Sequence, residues 1–221
     1  QETEARLSAY GWNRAWLMGW RDITNATNER TTIVTVLPRT AVGNNLPLMF
    51  LAEVERTGLW AALLANMNSI VLDFFTRQKV GGTHLNFFIY KQLPVLPPAS
   101  YSEEDLSYIL PRVVELTYSS HALAHWARDL GYHGPPFRWN ASRRHSLRAE
   151  LDAWYARAYG LSRDELRYIL APADVMGADG PSETFRVLKN NELREFGEYR
   201  TRRLVLDAYD ALSAATAAVS V

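Results

Sequence analysis

A cluster of prolines divides the sequence into two parts with different patterns. Pro94, Pro97 and Pro98 interrupt the chain, and proline can neither continue a helix nor occupy a central strand. Before them, short runs rich in β-branched and aromatic residues accompany one long apolar stretch; after them, the apolar spacing is helical. We therefore predict an α+β protein with a small mixed α/β domain over residues 1–100 and a helical bundle or scaffold region over residues 101–221.

The same patterns predict individual elements. Residues 16–20 and 31–37 are predicted strands, and residues 46–51 a third. Apolar positions recur every three to four residues over 59–78, which predicts one helix ended by Gly81 and Gly82. In the second part we expect a long helix over 102–131, a helix over 142–159, and a last helix over 198–218. Ser162 and Glu165 have capping-box spacing, which predicts another helix start.

Composition limits the classes of function. The formal net charge is zero, so binding to nucleic acid cannot rest on a large positive charge alone. Residues 10–100 nevertheless carry three more Lys and Arg than Asp and Glu. The absence of cysteine excludes disulfides and cysteine zinc sites. With no apolar run of membrane length and no secretory signal, we expect a cytoplasmic protein without a membrane partner. Because the chain begins with Gln1, we expect a fragment of a longer protein.

Several catalytic motifs are matched only in part. His121 and His125 have the spacing of a zinc protease, but Ala122 stands where that motif needs Glu. Gly134 begins a Gly-Pro-Pro-Phe loop that lacks the side chain needed to hold a flipped base. There is no nucleophile elbow, no glycine-rich phosphate loop and no Asp/Glu-x-Lys. We predict no catalytic residue and no metal site in this chain; a small hydrolase with an unrecognised site is a further alternative.

Two polar segments carry side chains suited to DNA. Residues 21–30 contain Arg, Asn and Thr, which recognise base edges and phosphates, although a solvated hairpin loop would have a similar composition. Residues 79–86 combine donors with two glycines that allow a phosphate to approach the backbone, although an ordinary loop after a helix is the alternative. Nearby polar residues extend the same set. The predicted DNA-binding residues are Arg21, Asp22, Thr24, Asn25, Thr27, Asn28, Arg30, Arg39, Asn44, Lys79, Gly81, Gly82, Thr83, His84, Asn86, Lys91 and Gln92.

A second basic cluster lies further along the chain. It consists of Arg138, Arg143, Arg144 and Arg148. These residues form either a solvated helix flank or a contact to the phosphate backbone.

These runs together resemble a known family. WRDI (20–23), NERT (28–31), residues 63–68, QKVGGTHLNFF (78–88) and QLPVLPP (92–98) look like the target-recognition region of Eco57I-like adenine-specific restriction-modification DNA methyltransferases. Residues 151–153, 159–161, 168–170 and FGEYR (196–200) are similar to the tail of that family. The central block also resembles the recognition domains of type I specificity subunits.

The resemblance implies a role without catalysis. It implies that the α/β part recognises bases in double-stranded DNA and that the helices brace it against a partner or against the upstream methyltransferase domain of the same parent chain. S-adenosylmethionine and the Asn-Pro-Pro-Tyr motif belong to that upstream domain, so no cofactor is expected in this fragment. The alternative is a non-catalytic protein-protein interaction scaffold of a restriction-modification or phage-defence complex.

Overall fold

A computed structural model describes residues 2–51, 56–177, 180–181 and 183–219. The chain is 57% helical, and the described ranges contain 11 α-helices and one small antiparallel sheet. This confirms the predicted α+β class with a helical C-terminal region. The helices and strands in chain order are α1 Glu2–Ala9, β1 Trp16–Trp20, β2 Val34–Pro38, α2 Thr57–Asn68, α3 Ile70–Lys79, α4 Phe87–Tyr90, α5 Glu103–Thr117, α6 Ala124–Asp129, α7 Ala141–Ala158, α8 Arg163–Leu170, α9 Ala173–Met176, α10 Arg186–Phe196 and α11 Arg200–Val219.

The chain forms two compact units, each assembled from three segments. Unit 1 comprises Gln1–Ile23, Thr32–Asn68 and Val95–Trp139. Unit 2 comprises Thr24–Thr31, Ser69–Pro94 and Asn140–Val221. This division differs from the expected boundary at residue 100, because both units draw residues from both sides of the proline cluster.

The sheet of unit 1 is a two-stranded ribbon. Strands β1 and β2 are antiparallel, with Trp16 opposite Pro38 and Trp20 opposite Val34. The predicted third strand over 46–51 was wrong as a strand, because it makes only an isolated bridge between Leu48 and Gly19. Pro47 has no N–H to donate, which prevents a regular ladder at this point. The predicted strand over 31–37 begins three residues later, at Val34.

Tryptophans fill the interior of unit 1. Trp16 makes edge-to-face contacts with Trp12, Trp60 and Trp126, with ring centroids 5.3, 5.6 and 4.7 Å apart. The Trp16 indole N–H donates to the Asp129 carboxylate at 2.8 Å, so its polar atom is satisfied. Because three of these rings are fully buried, they supply much of the apolar surface that stabilises this unit.

The predicted helix over 59–78 is two helices. Asn68 ends α2 by bonding the backbone of Val34, donating to its carbonyl and accepting from its N–H, each at 3.0 Å. Ser69 has an extended backbone and caps α3, where its hydroxyl accepts the Leu72 N–H. Asn and Ser side chains compete with helical backbone bonds in this way. The apolar spacing continued across the break, so periodicity alone could not reveal it.

The predicted helix over 102–131 is also interrupted. Helix α5 ends at Thr117, and a 3-10 turn over His121–Leu123 precedes α6. Ser120 caps this turn by accepting the Ala122 N–H. His121 and His125 therefore lie on different elements rather than one turn apart on a single helix.

Unit 2 is built around helices α3, α7, α8 and α11. The predicted capping box at the start of α8 is confirmed, since Ser162 and Glu165 accept each other's backbone N–H groups. The helices predicted over 142–159 and 198–218 agree with α7 and α11 to within two residues. The fully buried side chains of this interior include Ile70, Val71, Ala156, Leu166, Leu170, Phe185 and Val205.

Candidate nucleic-acid interface

The predicted DNA-binding residues are divided between the two units. Arg21, Asp22, Arg39 and Asn44 belong to unit 1. All the others belong to unit 2, where they form two groups: an inner loop, residues 24–31, and an exposed segment, residues 79–92.

In unit 1, Arg39 has a structural role. Its guanidinium binds the Glu4 carboxylate at 2.6 Å and donates to the carbonyl oxygens of Trp12 and Arg14, both at 2.9 Å. The hydrogen bond with Arg39 lowers the pKa of Glu4 and raises that of Arg39. Asn44 is exposed. Arg39 therefore joins α1 to the loop that precedes β1, and its guanidinium is used in these contacts.

The inner loop is closed by its own polar side chains. The Thr24 hydroxyl donates to the Thr31 carbonyl oxygen at 2.8 Å, and the Thr31 hydroxyl donates to the Asn25 carbonyl oxygen at 2.9 Å. The Asn25 side chain accepts from the backbone and hydroxyl of Thr27, as in an Asx turn. Thr24 is buried, and the Asn28 amide donates to its hydroxyl oxygen at 3.3 Å. Many of the polar groups that were predicted to contact DNA are thus used in hydrogen bonds inside the loop.

A buried arginine, Arg77, binds the backbone of this loop from the interior of unit 2. The side chains of Arg77 and Asp73 are 3% and 1% exposed, and they form an ion pair at 3.1 Å on successive turns of α3. Burial lowers the pKa of Arg77, but a guanidinium stays charged in proteins. The remaining Arg77 donors go to four carbonyl oxygens at 2.7–3.0 Å, those of Ala26, Asn28, Glu29 and Thr184.

Arg30 takes part in a second buried pair. Its guanidinium donates to Asp152 of α7 at 3.2 Å, and the other oxygen of Asp152 accepts the Ile70 N–H at 2.6 Å. Burial raises the pKa of Asp152, and the attraction of Arg30 opposes that rise. Arg30 was predicted to contact DNA, but here its charge serves to neutralise a buried carboxylate. We therefore place Arg30 and Thr24 outside the contact surface proposed below.

The exposed segment differs from the inner loop in that its polar side chains are exposed. Helix α3 ends at Lys79, and the side chains of Val80, Leu85 and Leu93 are buried. Between these apolar anchors the chain is turned outward. The exposed residues include Lys79, Gly81, Gly82, Thr83, His84, Asn86, Lys91 and Gln92.

Helix α4 shapes the second half of this segment. Asn86 caps it, with its side-chain oxygen accepting the Ile89 N–H at 3.1 Å. The Gln92 amide donates to the Phe88 carbonyl oxygen at 3.1 Å, and Lys79 donates to the Gln92 side chain at 3.4 Å. The sequence reasoning missed α4, although Asn before an aromatic run is a helix-start signal.

A backbone hydrogen bond joins the two groups of residues. The Thr24 N–H donates to the Thr83 carbonyl oxygen at 3.0 Å. The two polar segments, separated by about fifty residues of sequence, are therefore neighbours within unit 2. The inner loop supports the exposed segment, which carries the outward-facing donors.

The two glycines of the exposed segment are not required by the fold. Neither has a positive φ, and a Cβ built on Gly81 or Gly82 would meet nothing within 4 Å. An external group can therefore approach this stretch of backbone closely.

The later basic cluster is divided as well. Arg138 belongs to unit 1, whereas Arg143, Arg144 and Arg148 lie on the first turns of α7 in unit 2. Desolvation, followed by the charge of Arg30, lowers the pKa of Arg148. This cluster fits either a solvated helix flank or a phosphate contact.

No family model, curated protein or solved structure matches the chain. Among the described residues, no group of three His, Asp or Glu side chains is placed to hold a metal ion. Nor does any single described helix have the length and apolar character to cross a membrane; only α2 and α3 taken together, as a bent pair, reach those limits.

Proposed function

We propose that this chain is a DNA target-recognition module. More particularly, we propose that it reads duplex DNA for an adenine-specific methyltransferase of a restriction-modification system. In this proposal an upstream domain of the parent chain binds S-adenosylmethionine and performs the catalysis. The chain itself contributes recognition, not chemistry.

The exposed segment is the observation that carries the proposal. It presents hydroxyl, imidazole, amide and ammonium groups on a backbone with buried ends. Thr, His, Asn, Gln and Lys side chains supply hydrogen bonds to base edges and phosphates. No Asp or Glu occurs from residue 74 to residue 102, so the segment itself carries no carboxylate that would repel a phosphate.

The neutral net charge fits a tethered reader. A module joined to a catalytic domain acts at a high effective concentration and need not bind tightly alone. We therefore expect weak, strongly salt-dependent binding by the isolated chain, with site preference measurable at low salt.

The lysines provide a direct test. The chain has three, Lys79, Lys91 and Lys189, of which the first two lie on the exposed segment. In a mobility-shift titration on a random-sequence duplex at ~50 mM salt, Lys79→Gln with Lys91→Gln should weaken binding severalfold. If each lysine contacts a phosphate, the slope of log affinity against log salt should fall by about two.

Lys189→Gln is the matched control. Lys189 is in the same unit but pairs with Glu183 at 2.6 Å, so its replacement should leave DNA affinity and salt slope unchanged. Equal losses in both variants would show that the exposed segment has no special role. If the unaltered chain does not shift the duplex at low salt, the proposal fails and an interaction scaffold becomes the better explanation.

Base reading is tested separately by selection from the duplex pool. The unaltered chain should enrich a defined sequence, and Asn86→Ala or Thr83→Ala should relax the preference at one or two positions. Each lost base contact should reduce discrimination by about tenfold. Enrichment that is identical for all three proteins would assign recognition to other residues.

A further inference from the structure

Two neighbouring phenylalanines stand out on the surface of unit 2. Phe87 and Phe88 of α4 are 55% and 76% exposed, and Phe88 has the highest exposure among the large apolar side chains of the described residues. They lie between Leu85 and Leu93, which are both buried. The segment is therefore already anchored by buried leucines, and yet both phenylalanines are more than half exposed.

Hydrogen bonds hold the backbone that carries these rings. The Tyr90 N–H donates to the Asn86 carbonyl oxygen at 2.9 Å, and the Lys91 N–H donates to the Phe87 carbonyl oxygen at 3.0 Å. The hydroxyl oxygen of Tyr90 is buried, so Tyr90 lies on the inward side of α4, and this burial raises the pKa of the hydroxyl well above its ordinary value. The helix therefore has a half-buried side, formed by Ile89 and Tyr90, and a tip that carries the two exposed phenylalanines.

The charges around this tip favour a polyanion. Lys79 and Lys91 are exposed on the same segment, and the nearest acidic residues in sequence are Asp73, which is buried against Arg77, and Glu103. An apolar tip on a segment that also carries two exposed lysines and amide donors suits the stacked bases and flanking phosphates of DNA.

We propose that Phe87 and Phe88 form a wedge that inserts at a base step of duplex DNA and partly unstacks it. This inference rests on the proposed function and adds a mechanical role to it. Apolar side chains that insert between base pairs kink the duplex by roughly 20–90°. Weakened stacking also lowers the cost of extruding a base from the duplex, which methyltransferases require.

The test measures bending and affinity on the same probe. A duplex of the sequence selected by the chain carries a donor dye at one end and an acceptor dye at the other. Binding of the unaltered chain should increase energy transfer as the ends approach. Phe87→Ala with Phe88→Ala should abolish this increase and weaken binding about tenfold.

Two further variants separate the wedge from a general loss of apolar surface. Phe88→Leu keeps an apolar side chain that can insert, so it should retain most of the bend. Phe196→Ala removes another partly exposed phenylalanine of unit 2 and should alter neither bending nor affinity. Circular dichroism and urea unfolding of each variant confirm that the fold is retained.

Four outcomes would overturn the proposed wedge. Binding with unchanged energy transfer, or full bending by the double-alanine variant, overturns the wedge and leaves DNA recognition standing. If the unaltered chain does not bind DNA, both proposals fall. If it self-associates and the double-alanine variant is monomeric with normal bending, the tip is an interface between copies of this chain and the wedge is again overturned.

Discussion

The inner loop and the exposed segment both contain Thr, Asn and basic residues, yet the fold uses them in opposite ways. In the inner loop the carbonyl groups point at Arg77, and Arg30 is joined to Asp152. In the exposed segment the anchors are apolar and the polar side chains are exposed, although Asn86, Gln92 and Lys79 also make hydrogen bonds within the segment. Composition alone therefore does not distinguish a loop that supports a surface from one that forms it.

The difference follows from the position of buried carboxylates. Asp73 and Asp152 lie in the interior of unit 2, each beside an arginine. A buried carboxylate needs a cation and hydrogen-bond donors, so the arginine that reaches it is no longer available to an external ligand. The exposed segment has no acidic residue in reach along the sequence, and its two lysines stay at the surface.

The largest expected effect tests the support under the inner loop. Arg77→Met keeps much of the side-chain volume but leaves the Asp73 carboxylate without its cation and four carbonyl oxygens without their donor. We expect a loss of about 3–5 kcal/mol in the free energy of unfolding, measured by urea denaturation. Lys79→Met, two residues further along the chain, should change stability by no more than about 0.5 kcal/mol. Similar effects at both positions would remove the distinction between the two regions.

A smaller effect is expected at the second ion pair. Asp152→Ala removes the partner of Arg30 and the acceptor of the Ile70 N–H, and we expect a cost of about 3 kcal/mol. Asp152→Asn keeps an oxygen that can accept from Ile70, so it should be milder by about 1 kcal/mol. Urea denaturation of both variants measures the order. If Asn were no better than Ala, the hydrogen bond at the start of α3 would contribute nothing measurable.

The sequence predicted the positions of helices and strands better than the points at which a helix is interrupted. β1, α7, α8 and α11 have strong local signals, such as the capping box at Ser162, and their positions are close to the predicted ones. The break at Ser69 was missed because the apolar spacing continues through it. What ends α2 is a bond from Asn68 to Val34, and no window of neighbouring residues reveals a partner so distant in sequence.

The candidate site was predicted in part for the same reason. Both polar segments were recognised, but their different exposure depends on Asp73, Arg77 and Asp152, which come together only in the folded chain. A buried carboxylate four residues before an arginine on an apolar helix was a usable signal for the Asp73–Arg77 pair. The aromatic tip of α4 was overlooked because Phe87 and Phe88 resemble ordinary core residues in a sequence.

The glycines of the exposed segment offer a test in which stability and binding should separate. Because a Cβ at Gly81 or Gly82 meets nothing within 4 Å, the double change to Ala should alter the free energy of unfolding by less than about 1 kcal/mol. If a phosphate approaches this backbone, the same change should weaken DNA binding severalfold. Unfolding and mobility-shift titrations of one protein sample provide both values. Unchanged binding would limit the contact surface to the side chains.

The smallest expected effect concerns His145, near the basic N-terminal end of α7. Here the pH dependence of stability tests whether His145 belongs with the supporting residues or with the exposed ones. Burial, followed by the charges of Arg200 and Arg148, lowers the pKa of His145, and Glu192 and Glu195 oppose this only in part. The unfolded chain therefore binds a proton on His145 more readily than the folded chain does. The contribution of neutral His145 to stability is fully present above the unfolded pKa of about 6.5 and is lost as pH falls through the lower folded pKa.

Urea denaturation at about pH 7.5 and about pH 5.5 measures this contribution. The unaltered chain should lose more stability on acidification than His145→Gln, which cannot titrate at that position. Equal losses would mean that His145 is solvated like the residues of the exposed segment. A larger loss in the unaltered chain would instead group His145 with Arg30 and Arg77, as a residue whose surroundings are set by the interior of unit 2.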